Sequence, residues 1–189
     1  MGQAFTLMNP GPINVPESVR AALAASEDQC HREPEYLAMQ TRVRDLLVDT
    51  FGVAEHYEAA LLTGSGTAGM EAMVASLVGT GVLVIDNGVY GDRLARMAEA
   101  HGIPCTRLTT TWFERPDPAA VAAALTDEID TVAMVHHETT TGLRNDLEAI
   151  AEVCRAHGKR FLVDSVSGLG GEPFDFDAIQ PTAVCCTAN

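Results

Sequence analysis

From Glu58 onward the chain repeats one unit: a short apolar run, a glycine-containing turn, then an Ala-rich amphipathic stretch. Strands with helices between them can pair in parallel only through crossovers, so this alternation demands a largely parallel sheet with helices on both faces. The fold class is therefore α/β, a three-layer α/β/α sandwich. The spacing predicts strands at Ala59–Leu62, Val82–Ile85, Ile103–Leu108, Thr131–Val135, Phe161–Val163 and Thr182–Cys186. Helices are expected from Ala68 to about Leu77, from about Gly91 to Ala100, over Pro118–Leu125, and from Asp146 to His157 with Gly158 as C-terminal stop. Thr109–Pro118 reads as an exposed connection. Ahead of the series, Asn9-Pro10-Gly11-Pro12 forbids a regular helix and suggests an extended arm over residues 1–15. Two helical stretches follow, one opening at Pro16-Glu17-Ser18 and one over Tyr36–Thr50.

Composition narrows the class further. With 189 residues, 47% of them apolar, the chain can bury roughly 70% of its unfolded surface. Its longest apolar run is well short of the roughly 18–20 residues of a membrane span, and no leader pattern opens the sequence. The expectation is a cytoplasmic protein without a membrane partner. A formal charge of −14, with no Lys/Arg cluster, argues against nucleic acid. Five cysteines without CxxC spacing suit reduced thiols better than disulfides or zinc.

Four segments carry possible chemistry. Thr63-Gly64-Ser65-Gly66-Thr67-Ala68-Gly69 sits between a predicted strand and a predicted helix. Small residues let backbone N–H groups approach an anion, the helix N-terminus adds positive charge, and the Ser65 and Thr67 hydroxyls can donate. The alternative is an ordinary glycine turn with a Ser or Thr cap. No Lys follows the glycines and the spacing departs from GxGxxG, which disfavours nucleotide triphosphates and dinucleotides. Asp164 ends an apolar strand, where a carboxylate is costly unless a cation or proton meets it. A ring nitrogen, a helix cap, a metal and solvent are all possible partners. His136-His137-Glu138-Thr139-Thr140-Thr141-Gly142 offers three hydroxyls at a strand end. Its histidines lack the i, i+4 spacing that puts two metal ligands on one helical face, so metal is not expected. Asn87-Gly88-Val89-Tyr90-Gly91-Asp92 places an aromatic ring in a Gly-rich loop, for packing or for stacking.

These segments, in this order, together with Asn9-Pro10-Gly11-Pro12, resemble class V aminotransferases of fold type I, which use pyridoxal 5'-phosphate. The similarity runs over essentially the whole chain. The resemblance implies that Ser65, Gly66 and Thr67 hold the cofactor phosphate and that Tyr90 stacks on the pyridine ring, with Val166 on the other face. It implies further that Thr140 bonds the phenolic oxygen and that Asp164, the catalytic carboxylate, meets the ring nitrogen. Residues 16–189 are then an incomplete cofactor-binding large domain, with the cofactor's lysine expected directly after Asn189 and the C-terminal small domain beyond. A homodimer and two half-reactions, from a small amino donor to the cofactor and on to a keto acid, are implied in the same way. Cys30-His31-Arg32-Glu33-Pro34-Glu35, the His136–Gly142 segment and the Thr187-Ala188-Asn189 ending look most like the branch acting on 2-aminoethylphosphonate and pyruvate. The alanine:glyoxylate and serine:pyruvate branch is its rival, and a noncatalytic phosphate-ligand module the reading from another class.

Overall fold

A computed structural model of the chain describes residues 5–188. Met1–Ala4 of the expected arm and Asn189 of the expected ending lie outside the described residues. The chain divides into two compact units, one reaching to Thr63 and one spanning Gly64–Ala188.

The first unit contains helices α1 (Glu17–Ala25) and α2 (Pro34–Thr50), close to the predicted stretches. Pro34 stands at the start of α2, where its missing N–H costs nothing. No residue of either helix is buried. Of the arm, residues 5–15 are irregular, and Asn14 bends them back by accepting the Leu7 amide at 2.6 Å and donating to the Phe5 carbonyl at 2.9 Å. The segment is a local loop rather than a straight arm. The strand expected at Ala59–Leu62 is absent: these residues are irregular and join no ladder among the described residues. A short apolar run becomes a strand only where another backbone pairs with it, and apolarity alone does not supply that partner.

The second unit is the predicted sandwich. Its strands β1 (Val82–Asp86), β2 (Cys105–Thr109), β3 (Thr131–Val135), β6 (Arg160–Asp164) and β7 (Ala183–Cys185) form one sheet in the order β2-β1-β3-β6-β7. Every pairing in it is parallel. β1 and β3 are buried at every residue, as a strand covered on both sides must be. On one face, Met70, Met73 and Val74 of α3 (Gly66–Leu77) and Leu94, Ala95, Met97 and Ala98 of α4 (Val89–Ala100) pack on Val82, Val84, Ala133, Val135 and Leu162. On the other face, Val121 of α5 (Pro118–Ala124), Leu147, Ile150, Ala151 and Cys154 of α6 (Leu147–Ala156), and Ile179 of α7 (Phe176–Ile179) cover Leu83, Ile85, Val132, Met134, Phe161 and Val163. The alternation along each strand assigns its residues to the two faces.

Local chemistry sets the helix ends. Asp117, Asp146 and Asp175 each cap a helix N-terminus by accepting an amide of its first turn. α6 ends where Gly158 adopts φ +62°, with Lys159 N–H bonded to Cys154 O at 2.8 Å and Gly158 N–H to Arg155 O at 3.1 Å. That is the glycine stop expected at this position. Two elements lay outside the sequence reading. One is the hairpin of β4 (His137–Glu138) and β5 (Leu143–Arg144); the other is the single turn of α7. No helix among the described residues is long and apolar enough to cross a membrane.

The sheet order positions the site. β1 is followed by α4 on one face, while β3 is followed, after the hairpin, by α6 on the other. The chain therefore leaves neighbouring strands in opposite directions, which makes the C-terminal ends of β1 and β3 the switch point at which ligands of such sheets bind.

Candidate cofactor site

The Gly-rich turn enters α3 with Ser65 as N-cap in an extended conformation, and the Ser65 side chain makes no cap hydrogen bond. The Gly69 amide is the first to bond back, reaching Ser65 O at 3.2 Å. The amides of residues 66–68 thus precede the helical ladder and can donate to an anion. A side chain at Gly66 would collide with Val166, whose Cγ1 lies 2.6 Å from the position a Cβ would take. Glycine therefore permits Val166 to seat against the first turn of α3. Behind the turn, the buried Cys185 thiol donates to Gly66 O at 3.6 Å, and its Sγ occupies the space a side chain at Gly69 would need.

Arg93, one helical turn after Tyr90, joins two predicted site residues. Its Nη1 donates to Thr67 Oγ1 at 3.2 Å, and its guanidinium carbon lies 4.7 Å from the Tyr90 ring centroid, within cation–π range. Because the Thr67 oxygen accepts from Arg93, the Thr67 hydroxyl proton remains free to donate to an anion at the α3 terminus. Sequence reasoning passed over Arg93. The i, i+3 spacing from Tyr90 was the available signal, since it places both side chains on one face of α4.

Glu138 was also missed in this role, being weighed only as a metal ligand. Its side chain is fully buried: Oε2 accepts the Tyr90 amide at 3.0 Å, and Oε1 accepts the Thr140 amide at 3.3 Å and the Thr140 hydroxyl at 2.5 Å. The N-cap of α4 is Gly88, which has no side chain to cap with; Glu138 reaches the helix start from β4 instead. A Cβ at Gly88 would overlap the Glu138 carboxyl group, so the glycine is what admits it.

Asp164 ends β6 and is 3% exposed. Oδ1 accepts the Val166 amide at 3.0 Å. Desolvation pushes the carboxyl up to about 6; the Val166 amide and the Arg93 charge oppose this, and the Glu138 charge adds to it. Beside it, Ser165 Oγ is 2.9 Å from His136 Nδ1, and the His136 ring meets Phe174 edge-on. Burial holds His136 down at about 4, which keeps the ring neutral near pH 7. Beyond the C-terminal ends of β1 and β3, the buried Asn87 donates to Asn145 Oδ1 at 2.8 Å, and Asn145 donates to Val135 O at 2.8 Å. This amide pair ties the segment after β1 to the end of the hairpin that follows β3.

The predicted residues are thus brought together by contact. Gly66 meets Val166, whose amide binds Asp164; Thr67 connects through Arg93 to Tyr90; and Tyr90 connects through Glu138 to Thr140. Ser65 adds an exposed, uncapped hydroxyl at the head of α3. An anion cup at one end and a buried acid with a raised proton affinity at the other form a donor set for a ligand with a phosphate and a basic ring nitrogen.

Comparison with known proteins agrees. Residues 15–184 match the aminotransferase class-V family, and the chain belongs to that family. Its members are pyridoxal 5'-phosphate enzymes, and the donor set fits that cofactor. The chain is 36% identical over 190 residues to the 2-aminoethylphosphonate–pyruvate transaminase of Klebsiella pneumoniae, covering 98% of this chain and 51% of that protein. It is 38% identical over 194 residues to the enzyme of the same name from Vibrio parahaemolyticus, covering 100% and 52%. Among solved structures, pyridoxamine–pyruvate aminotransferase from Mesorhizobium loti superposes with a TM-score of 0.87 at 26% identity, over 98% of this chain and 48% of that one. Alanine–glyoxylate aminotransferase from Nostoc sp. gives 0.81 at 35% identity, over 93% and 47%. The chain spans about half the length of the curated relatives it matches.

Proposed function

We propose that residues 16–189 belong to the cofactor-binding large domain of a cytoplasmic transaminase that moves the amino group of 2-aminoethylphosphonate to pyruvate, giving phosphonoacetaldehyde and alanine. The observation that carries the reading is Asp164, a buried carboxylate with raised proton affinity one residue pair from the wall, Val166, that closes on the anion cup. The relatives named for this reaction support the substrates.

When bound, the cofactor stabilises the negative charge left on the substrate carbon as its proton departs. The chain's own groups make that possible. Asp164 holds a proton on the ring nitrogen, ionised opposite a cation that offsets its desolvation. Tyr90 and Val166 would confine the ring, and Ser65, Gly66 and Thr67 would hold the phosphate. Thr140 bonds the ring oxygen. A homodimer belongs to the same reading. The apolar side chains that α1 and α2 leave exposed, among them Leu23, Leu37 and Leu46, support coverage by another surface.

The 35% identity to the Nostoc alanine–glyoxylate enzyme favours that activity as the second reading. Mixing the purified full-length gene product with 2-aminoethylphosphonate, serine or alanine, and following the cofactor's visible band, separates the two. Bleaching by the phosphonate supports the first, with alanine bleaching too as the product of its second half-reaction; bleaching by alanine or serine with none by the phosphonate replaces it with the second.

A further inference from the structure

Arg93 differs from the arginines beside it. Arg96 pairs with Asp92 at 2.7 Å, and Arg107 pairs with Asp92 at 2.7 Å and Glu99 at 2.8 Å. Arg93 is half-buried, and among the described residues no carboxylate lies within ion-pair distance of it. A cation withdrawn from water needs compensation. Here it comes from two residues of the pocket: the face of the Tyr90 ring, with the guanidinium carbon 4.7 Å from its centroid, and the Thr67 oxygen, 3.2 Å from Nη1. The planar guanidinium makes both contacts at once, which a compact ammonium on a flexible stem does not.

We infer that Arg93 is a positioning residue that couples the ring wall to the anion cup: seated on Tyr90, it fixes the Thr67 hydroxyl so that the pocket favours a phosphorylated ligand. Thr67 lies in the first turn of α3, where a threonine hydroxyl can rotate and turn its proton back on a carbonyl of the preceding residues. By occupying a lone pair of that oxygen, Arg93 Nη1 holds the rotamer and leaves the single hydroxyl proton for the cup. The same guanidinium covers one face of the Tyr90 ring, so that only the other face is open to a flat ligand. Arg93 thus acts on a bound phosphate through Thr67.

This inference rests on the reading of the site as the pyridoxal phosphate pocket, and the test separates the two. Full-length protein, stripped of cofactor, is titrated with pyridoxamine 5'-phosphate and with pyridoxamine, which differ only in the phosphate and form no covalent bond with a lysine. The wild type prefers the phosphorylated compound. Arg93→Met narrows that preference by about fivefold or more, the scale of one hydrogen bond to a charged group. In a Thr67→Val background the same substitution changes the preference by less than about twofold, because the contact it would spoil is already gone. Arg93→Ala gives the same pair of results should Arg93→Met fail to fold. Equal loss of both ligands, with the preference unchanged, makes Arg93 merely structural and overturns the inference. A preference that falls as far in the Thr67→Val background as in the wild type also overturns it, since the charge then acts on the phosphate directly. A wild type that binds neither compound, or binds both alike, fails the pocket reading itself before any variant is made.

Discussion

Two aspartates mark opposite ends of the same sheet, and their surroundings differ in kind. Asp130 precedes β3 at the N-terminal edge. Its carboxylate accepts the Thr131 hydroxyl at 2.7 Å and the Thr80 and Gly79 amides at 3.0 and 3.3 Å, and pairs with Arg160 at 2.5 Å. Desolvation alone would raise its affinity for a proton, but those four partners outweigh it and hold the carboxyl below the usual range. Asp164, at the C-terminal edge, is more deeply buried, accepts the Val166 amide, and is pushed up to about 6. An acid that has all its partners inside the protein is part of the scaffold. One left short of cationic partners at a strand end has the environment that suits a ligand bringing the missing charge.

The comparison can be broken from either end. The largest effect is expected from Asp164→Asn in the full-length, cofactor-loaded protein. Removing one partner of a buried ionic contact costs roughly 3–5 kcal/mol, so turnover should fall by about a hundredfold or more, with cofactor lost on dialysis. Turnover within about threefold of wild type would refute the assignment of Asp164 to the ring nitrogen.

The same variant should stabilise the protein when no ligand is bound. A carboxyl raised from 3.8 to about 6 binds its proton more tightly folded than unfolded, so its contribution is full below about pH 4 and is lost as pH rises through 6. The loss is about 3 kcal/mol at neutral pH, and Asp164→Asn should recover much of it in urea melts at pH 7 but not at pH 4. His136, lowered from 6.5 to about 4, works the other way: stability falls as pH drops through that window. The two nearly offset each other in the wild type, so the variant should reveal the His136 slope that the wild type conceals.

At the other edge, Asp130→Asn should destabilise by about 1–3 kcal/mol, the cost of weakening several partly exposed hydrogen bonds to a charged group. Cofactor affinity should stay at the wild-type value; a matching loss of affinity would show that the two edges are coupled. Smallest of all should be Arg160→Lys, below about 1 kcal/mol, because that ion pair is partly exposed. A larger drop in urea midpoint would mean that the ion pair, rather than the amides and hydroxyl, holds the N-terminal edge together.

Much of this contrast was readable in the sequence, for a definite reason. An apolar run closed by Asp, as in Phe161-Leu162-Val163-Asp164, announces a buried strand with an acid at its end, and Thr131–Val135 was bounded to the residue. Small residues around Ser65 announced a tight turn into a helix; α3 simply starts earlier than expected, because Gly66 and Thr67 belong to its first turn. The expected strand at Ala59–Leu62 failed on the same logic, since an apolar run says nothing of a pairing partner. Arg93 and Glu138 escaped because their value lies in what they touch. Arg93 spans residues 26 positions apart from Thr67, and Glu138 lies 48 positions from Tyr90.

The sequence by itself determined the layered parallel sheet and its strand ends, since periodicity and turn residues are local properties, and it pointed to the class of ligand only through the family resemblance. Only the tertiary structure decided the strand order, the overlap that makes glycine necessary at positions 66 and 88, and the hydrogen-bond partners that Arg93 and Glu138 give to Thr67 and Thr140. Hydrogen-bond polarity and desolvation depend on which groups meet across the chain, and those meetings exist only once the chain has folded.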